Sequence, residues 1–274
     1  MATLSPSHSP WPQPYKAALA FTMDNLGEAQ DVLRGAWPHP IGTYPSVTSH
    51  LPRMLALLAK YRVRATYFVE AWSLGVYPLA VHALVEGGHE VAWHGFQHEV
   101  WSGLSEQQER ENFEKSWEVA GAQGVGYVGF RPPGGEVNHR TWGLLKEYAA
   151  RYVSPLGEFG LGPEGMVVLP FEWRAVDAFW YMEKFAGIRK QNGEGEEVLS
   201  PWEFREWLMG RVDETVKTSG FLSILFHPFL QTSEDKFEVL EEVLKKIGGH
   251  QDVRVAPCKE IAEWYLLWYL LKDM

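Results

Sequence analysis

At 274 residues, with 46% apolar and 22% charged side chains, the chain can bury a sizeable core and is too apolar for general disorder. Its formal net charge of −10 argues against nucleic acid or an anionic membrane surface as the main partner, and leaves room for a neutral or cationic ligand. A single cysteine, Cys258, excludes an intramolecular disulfide and reads as a buried packing residue.

Residues 1–16 form a Pro-rich lead-in with no basic segment followed by an apolar core. No run approaches 18 uninterrupted apolar residues, and the nearest, Trp264 to Leu271, is too short for a bilayer. Taken as a whole gene product, this is a cytoplasmic protein with no membrane contact. A homo-oligomer is compatible with the sequence.

Ala17 to Met23 reads as a buried strand ending at Asp24-Asn25, followed over 24–47 by Gly- and Pro-containing chain of little periodicity. A helix with apolar positions Leu51, Met54, Leu55, Leu57 and Leu58 leads to a second strand at Ala65 to Val69. Tyr77 to Glu86 is helical and His89 to Ala92 is the third strand. Ser105 and Gln108 are spaced as a capping box for a Glu-rich helix, and Tyr127 to Phe130 is the fourth strand. After a short strand at Arg151 to Val153, residues 155–200 break the rhythm around an aromatic centre, Phe171 to Trp180. Pro201 opens another helix, and Phe221 to Phe226 is a strongly apolar strand. A charged helix, a strand at Val253 to Ala256 and a last amphipathic helix follow.

Alternating strand and helix predict an α/β fold: a single domain over 17–274 built as a distorted (β/α)7-type barrel, closed or incomplete. The stretches at about 24–47 and 155–200 are insertions in it. Asp24-Asn25, His94 with His98, Arg131 and His227 each stand just past a predicted strand. In a parallel barrel those ends share one face, where active sites form. Taken singly, Asp24 could be a turn residue, Arg131 an ion-pair partner and His227 a core histidine. Together they point to an enzyme.

His94 and His98, with three residues between them, can aim two imidazoles at one divalent metal; zinc suits them best, with cobalt or nickel as alternatives. His89-Glu90 with His94 has one residue too many for the HExxH helix, which sets a metalloprotease aside.

These stretches resemble the polysaccharide deacetylase family, the carbohydrate esterases built on the NodB homology domain. Thr22-Met23-Asp24-Asn25 is similar to its first motif, His94-Gly95-Phe96-Gln97-His98 to its second, Arg131-Pro132-Pro133-Gly134 to its third and Leu225-Phe226-His227 to its last. For the Asp and Trp segment of the family, Trp173 to Trp180 with Asp177 is the candidate.

The resemblance implies hydrolysis of an amide C–N bond, most simply N-deacetylation of an amino sugar or a related small amide. It makes Asp24 the general base, Arg131 its partner, His227 the general acid, and Asn25, His94 and His98 the metal ligands, with Asp24 turned onto the metal, and so lost as base, as the alternative to Asn25. Pro133, Gly134 and Trp180 would meet the substrate, with a backbone N–H between Arg131 and Gly135 facing the oxyanion. Two departures stand out. Asn25 replaces a second Asp, so the site loses a charge, with Glu28 as a spare carboxylate nearby. Gly95 replaces Ser or Thr, which removes a loop-stabilising hydroxyl. Two other readings stay open: ring opening of a cyclic amide or ureide, as in the allantoinase-like branch, and a non-catalytic glycan-binding protein. Trp93, Trp101, Trp173 and Trp180 could line a pocket or simply pack the core.

Overall fold

The unbroken apolar run from Ala17 becomes strand β1 (Ala17–Asp24), in which every residue is buried. A run without polar alternation suits a strand covered on both faces, and β1 lies inside a parallel sheet. Its partners are β2 (Thr66–Val69) and β8 (Phe221–Phe226), with β9 (Val253–Val255) pairing only its first three residues. Outward from β2 come β3 (Glu90–Trp93), β4 (Gly129–Phe130), β5 (Tyr152–Val153), β7 (Val167–Val168) and β6 (Gly160–Leu161). All pairings are parallel except β6 with β7. The computed structural model describes residues 9–272.

The sheet curls into a half-barrel and does not close, so the incomplete (β/α)7-type form is the one present and the closed, TIM-like form is corrected. The reason lies in the stretch 155–200. β7 is two residues long, and Pro170, with no N–H to donate, follows one residue later. The chain then reaches the far side of the sheet, where Val176 makes one parallel bridge to Leu225 of β8. The stretch expected as an insertion thus carries the bridge to β8.

Alternation along β1 separates two cores. Ala17, Leu19, Phe21 and Met23 join the larger, while Ala18 and Ala20 join a second core with Phe68, Tyr152, Ile261 and Tyr265. Thr22 and Asp24 continue the Ala18–Ala20 stripe, so the catalytic candidates stand on the face shared with the second core. The C-terminal helix Cys258–Leu271 packs there and is tied down by a buried carboxylate. Glu90 accepts from Thr66 Oγ1 at 2.8 Å, Tyr152 OH at 3.0 Å and the Lys259 N–H at 2.9 Å, at the positive end of that helix. Cys258 beside it is fully buried, and burial pushes its thiol up to about 12, as expected of an unreactive packing residue.

The Ser105–Gln108 capping box forms, and Ser200 with Glu203 makes a second one ahead of Pro201. Of the lead-in, residues 1–8 lie outside the described residues. Within 9–16, Trp11 packs in the second core and donates Nε1–H to the Ser219 carbonyl at 2.8 Å. No described helix is long and apolar enough to cross a membrane.

Candidate active site

Arg131 emerges from β4 with its guanidinium 1% exposed, and every polar contact it makes is internal. Nη1 donates to Asp24 Oδ1 at 2.8 Å and to Thr22 Oγ1 at 3.0 Å. Nη2 donates to Ser154 Oγ at 2.9 Å and Ser223 Oγ at 3.0 Å, while Nε reaches Ser154 Oγ at 3.2 Å. Phe68 lies against its plane, 4.1 Å from ring centroid to guanidinium carbon. A guanidinium so fully engaged orients Asp24 and has little left to offer a substrate.

The same residue orients His94 through its backbone. His94 Nδ1 lies 2.7 Å from the Arg131 carbonyl, so Nδ1 carries the hydrogen and Nε2 is left with its lone pair. That Nε2 stands 3.7 Å from Asp24 Oδ2, the carboxylate oxygen Arg131 does not occupy. His98 packs edge-on against His94 with ring centroids 4.9 Å apart, and its Nδ1 meets the Gln30 side-chain amide at 2.5 Å. Burial pulls His94 down to about 3, and burial with the neighbouring His94 pulls His98 well below the usual histidine range. Both rings are therefore neutral near pH 7, the state in which imidazole can ligate a metal.

Gly95 and His98 both adopt positive φ, 80° and 64°. At φ 80° a side chain on Gly95 would be strained, and its Cβ would also sit 2.9 Å from Glu99 Oε2. The hydroxyl expected at this position is replaced by Glu99, whose carboxylate accepts from the Phe96 N–H at 3.0 Å and the Gln97 N–H at 2.9 Å.

Asn25 also has positive φ, 64°, and its Nδ2 donates to Glu70 Oε1 at 2.7 Å. Glu70 is fully buried, and its other oxygen accepts from the Leu26 N–H at 2.9 Å. Burial raises its carboxyl to about 7 against the pull of those bonds. Sequence reasoning passes over Glu70, although it stands just past β2 as Asp24 stands at the end of β1. Glu28 is not a spare carboxylate: it is buried and holds the Tyr77 hydroxyl at 2.6 Å and the Gly42 N–H at 2.7 Å.

His227 completes the group. Asp177, fully buried, accepts from the His227 backbone N–H at 2.7 Å and from its Nδ1 at 2.6 Å, while Gln231 Nε2 donates to it at 3.0 Å. The bridge between Val176 and Leu225 puts Asp177 level with the end of β8. His227 Nε2 is thereby left to the cavity.

Asp24, Asn25, His94, His98, Arg131, Gly134 and His227 all line one cavity of about 390 Å³. Tyr44, Phe171, Trp173 and Phe229 supply apolar wall, and Asp31, Arg34 and Lys184 add charge. Two expected contacts fall elsewhere. Trp180 is buried in the core, tilted on Phe204 with Nε1–H held by the Arg174 carbonyl, because the helix Pro201–Lys217 covers it. Pro133 is buried behind the loop, and Pro132 takes its place in the wall. Trp93 and Trp101 are core, whereas Trp173 does face the cavity.

Among the described residues, no three His, Cys, Asp or Glu side chains already form a ligating group. The donor chemistry nevertheless fits a divalent ion: two neutral imidazoles, one with its tautomer fixed and 3.7 Å from an Asp24 carboxylate oxygen, line one cavity with the Asn25 side chain.

The polysaccharide deacetylase family model matches residues 41–153. A peptidoglycan deacetylase of Helicobacter pylori is 23% identical over 265 residues, covering 86% of this chain and 87% of that protein. The solved structure of a Mycobacterium smegmatis protein classed as a polysaccharide deacetylase is 27% identical, with TM-score 0.79, and covers 92% of this chain and 91% of that one. The structure of the allantoinase PuuE shares the fold at 18% identity and TM-score 0.77, covering 98% of this chain and 95% of its own.

Proposed function

We propose that this chain, similar to the polysaccharide deacetylase family over residues 41–153, is a metal-dependent hydrolase that removes the acetyl group from the nitrogen of an amino sugar. The observation that carries this reading is the pairing of two oriented proton-transfer groups, Asp24 held by Arg131 and His227 held by Asp177, across one cavity. A divalent ion, zinc on donor chemistry, would be held by His94, His98 and the Asn25 amide oxygen, and would lend Lewis acidity to water and carbonyl.

This chain's own residues do the rest. Asp24 Oδ2, free of Arg131, takes a proton from the attacking water. The Gly134 N–H faces the developing oxyanion; Gly134 lines the cavity, whereas the Gly135 N–H is already taken by the Pro132 carbonyl at 2.9 Å. His227 Nε2 delivers a proton to the departing amine, which leaves poorly as an anion. Trp173 and Phe171 offer apolar wall against the faces of a sugar ring. Against a purely glycan-binding role stands this acid–base pair, since binding alone requires neither Asp24–Arg131 nor Asp177–His227.

The test is parallel incubation with a chito-oligosaccharide and with allantoin, each followed by NMR. Acetyl loss from the first with allantoin untouched is the expected result. Consumption of allantoin alone would overturn the deacetylase reading in favour of ring opening.

A further inference from the structure

The Asn25–Glu70 contact sets which atom Asn25 can show the cavity. Asn25 Nδ2 donates to Glu70 Oε1 at 2.7 Å, which turns the amide nitrogen toward the buried carboxyl group. Glu70 is fully buried and is no part of the cavity wall, so Nδ2 points away from the site and Oδ1 points the other way. The backbone is held as well: Tyr67 OH donates to the Asn25 carbonyl at 3.0 Å and Leu26 N–H is bound to Glu70 Oε2 at 2.9 Å. A residue at φ 64° with both amide ends accounted for has little freedom to turn over.

We propose that Asn25 and Glu70 act as one unit, in which the buried carboxylate locks the amide with Oδ1 aimed at a cation beside His94 and His98. Glu70 is thus a positioning residue, its carboxyl group standing one side chain behind the amide it holds. The inference rests on the reading that this cavity takes a divalent cation, and it deepens that reading.

Asn25→Asp, which adds a carboxylate beside the metal position, places it against Glu70 Oε1 in a buried site that already contains Asp24. Like charges at that distance cannot both ionise, so one proton is retained and little charge is gained. Adding Glu70→Gln reverses the polarity of the contact. The amide introduced at position 70 can then donate its NH2 to the carboxylate introduced at position 25. Its oxygen accepts from the Leu26 N–H, leaving every group satisfied.

The test compares the native protein with Asn25→Asp, Glu70→Gln and the double variant, by Co²⁺ titration and by thermal melting in chelator. Glu70→Gln alone is expected to weaken Co²⁺ binding by roughly 10-fold or more, the range found when a ligand's orienting partner is lost. Asn25→Asp should bind no tighter than native, and the double variant at least about 10-fold tighter than Asn25→Asp. Without metal, Asn25→Asp should lower the melting temperature and Glu70→Gln should restore part of it. Tight binding by Asn25→Asp that Glu70→Gln leaves unchanged would overturn the inference, as would equal affinity in all four proteins. No uptake by any of them would overturn the cation reading together with it, whereas failure of the acetyl-release assay alone would leave the titration meaningful.

Discussion

Asp177→Asn is expected to lower kcat on an N-acetylated sugar by roughly 10²- to 10⁴-fold, the range typical of a lost or misoriented general acid. The cause is a shortage of acceptors. Three N–H groups converge on the Asp177 carboxylate: the His227 ring Nδ1–H, the His227 backbone N–H and the Gln231 amide. Asparagine has one acceptor oxygen, so its NH2 must face one of these donors and the ring loses its alignment. The negative charge beside a ring that must carry a proton is lost as well. An aryl acetate gives the control, because a phenolate leaves without needing a proton. The loss on the ester should be at least about tenfold smaller than the loss on the amide, given the weight of general acid catalysis. Equal losses on both substrates would mean that Asp177 serves the fold and not the proton transfer.

Arg131→Met is expected to destabilise the protein by about 3–5 kcal/mol, because it strands the buried Asp24 carboxylate without its counter-charge. Thr22, Ser154 and Ser223 lose a shared donor at the same time. Chemical denaturation would measure the loss, and adding Asp24→Asn should recover part of it by removing the orphaned charge. A single Arg131→Met variant within about 1 kcal/mol of native would show that the ion pair is not the anchor argued above, since exposed pairs contribute only that much.

Much of this site is legible in the sequence, because parallel strands bring their C-terminal ends together. Asp24, His94, Arg131 and His227 each follow an apolar run, and all four reach one cavity. Asp177 is legible only as part of an aromatic segment, since its tie to His227 crosses fifty positions of chain and depends on a single bridge. Glu70 carries the same positional signal as Asp24 but lies in no motif, so the apolar run before it draws attention to packing alone. The hairpin of β6 and β7 is invisible to periodicity, as two-residue strands set among Gly160, Gly162, Pro163 and Gly165 show no alternation. Trp180 and Trp173 cannot be told apart by residue type. What separates them is the helix over Trp180, which local sequence does not announce.

The most direct measurement follows acetate and newly formed primary amine together during incubation with a chito-oligosaccharide, using the native protein and Asp24→Asn. Amide hydrolysis in this cavity predicts that the two products rise in equal amounts in the native protein and that neither rises in Asp24→Asn. Acetate without amine would show ester cleavage instead. Equal release by both proteins would place the reaction somewhere other than the Asp24–Arg131 site.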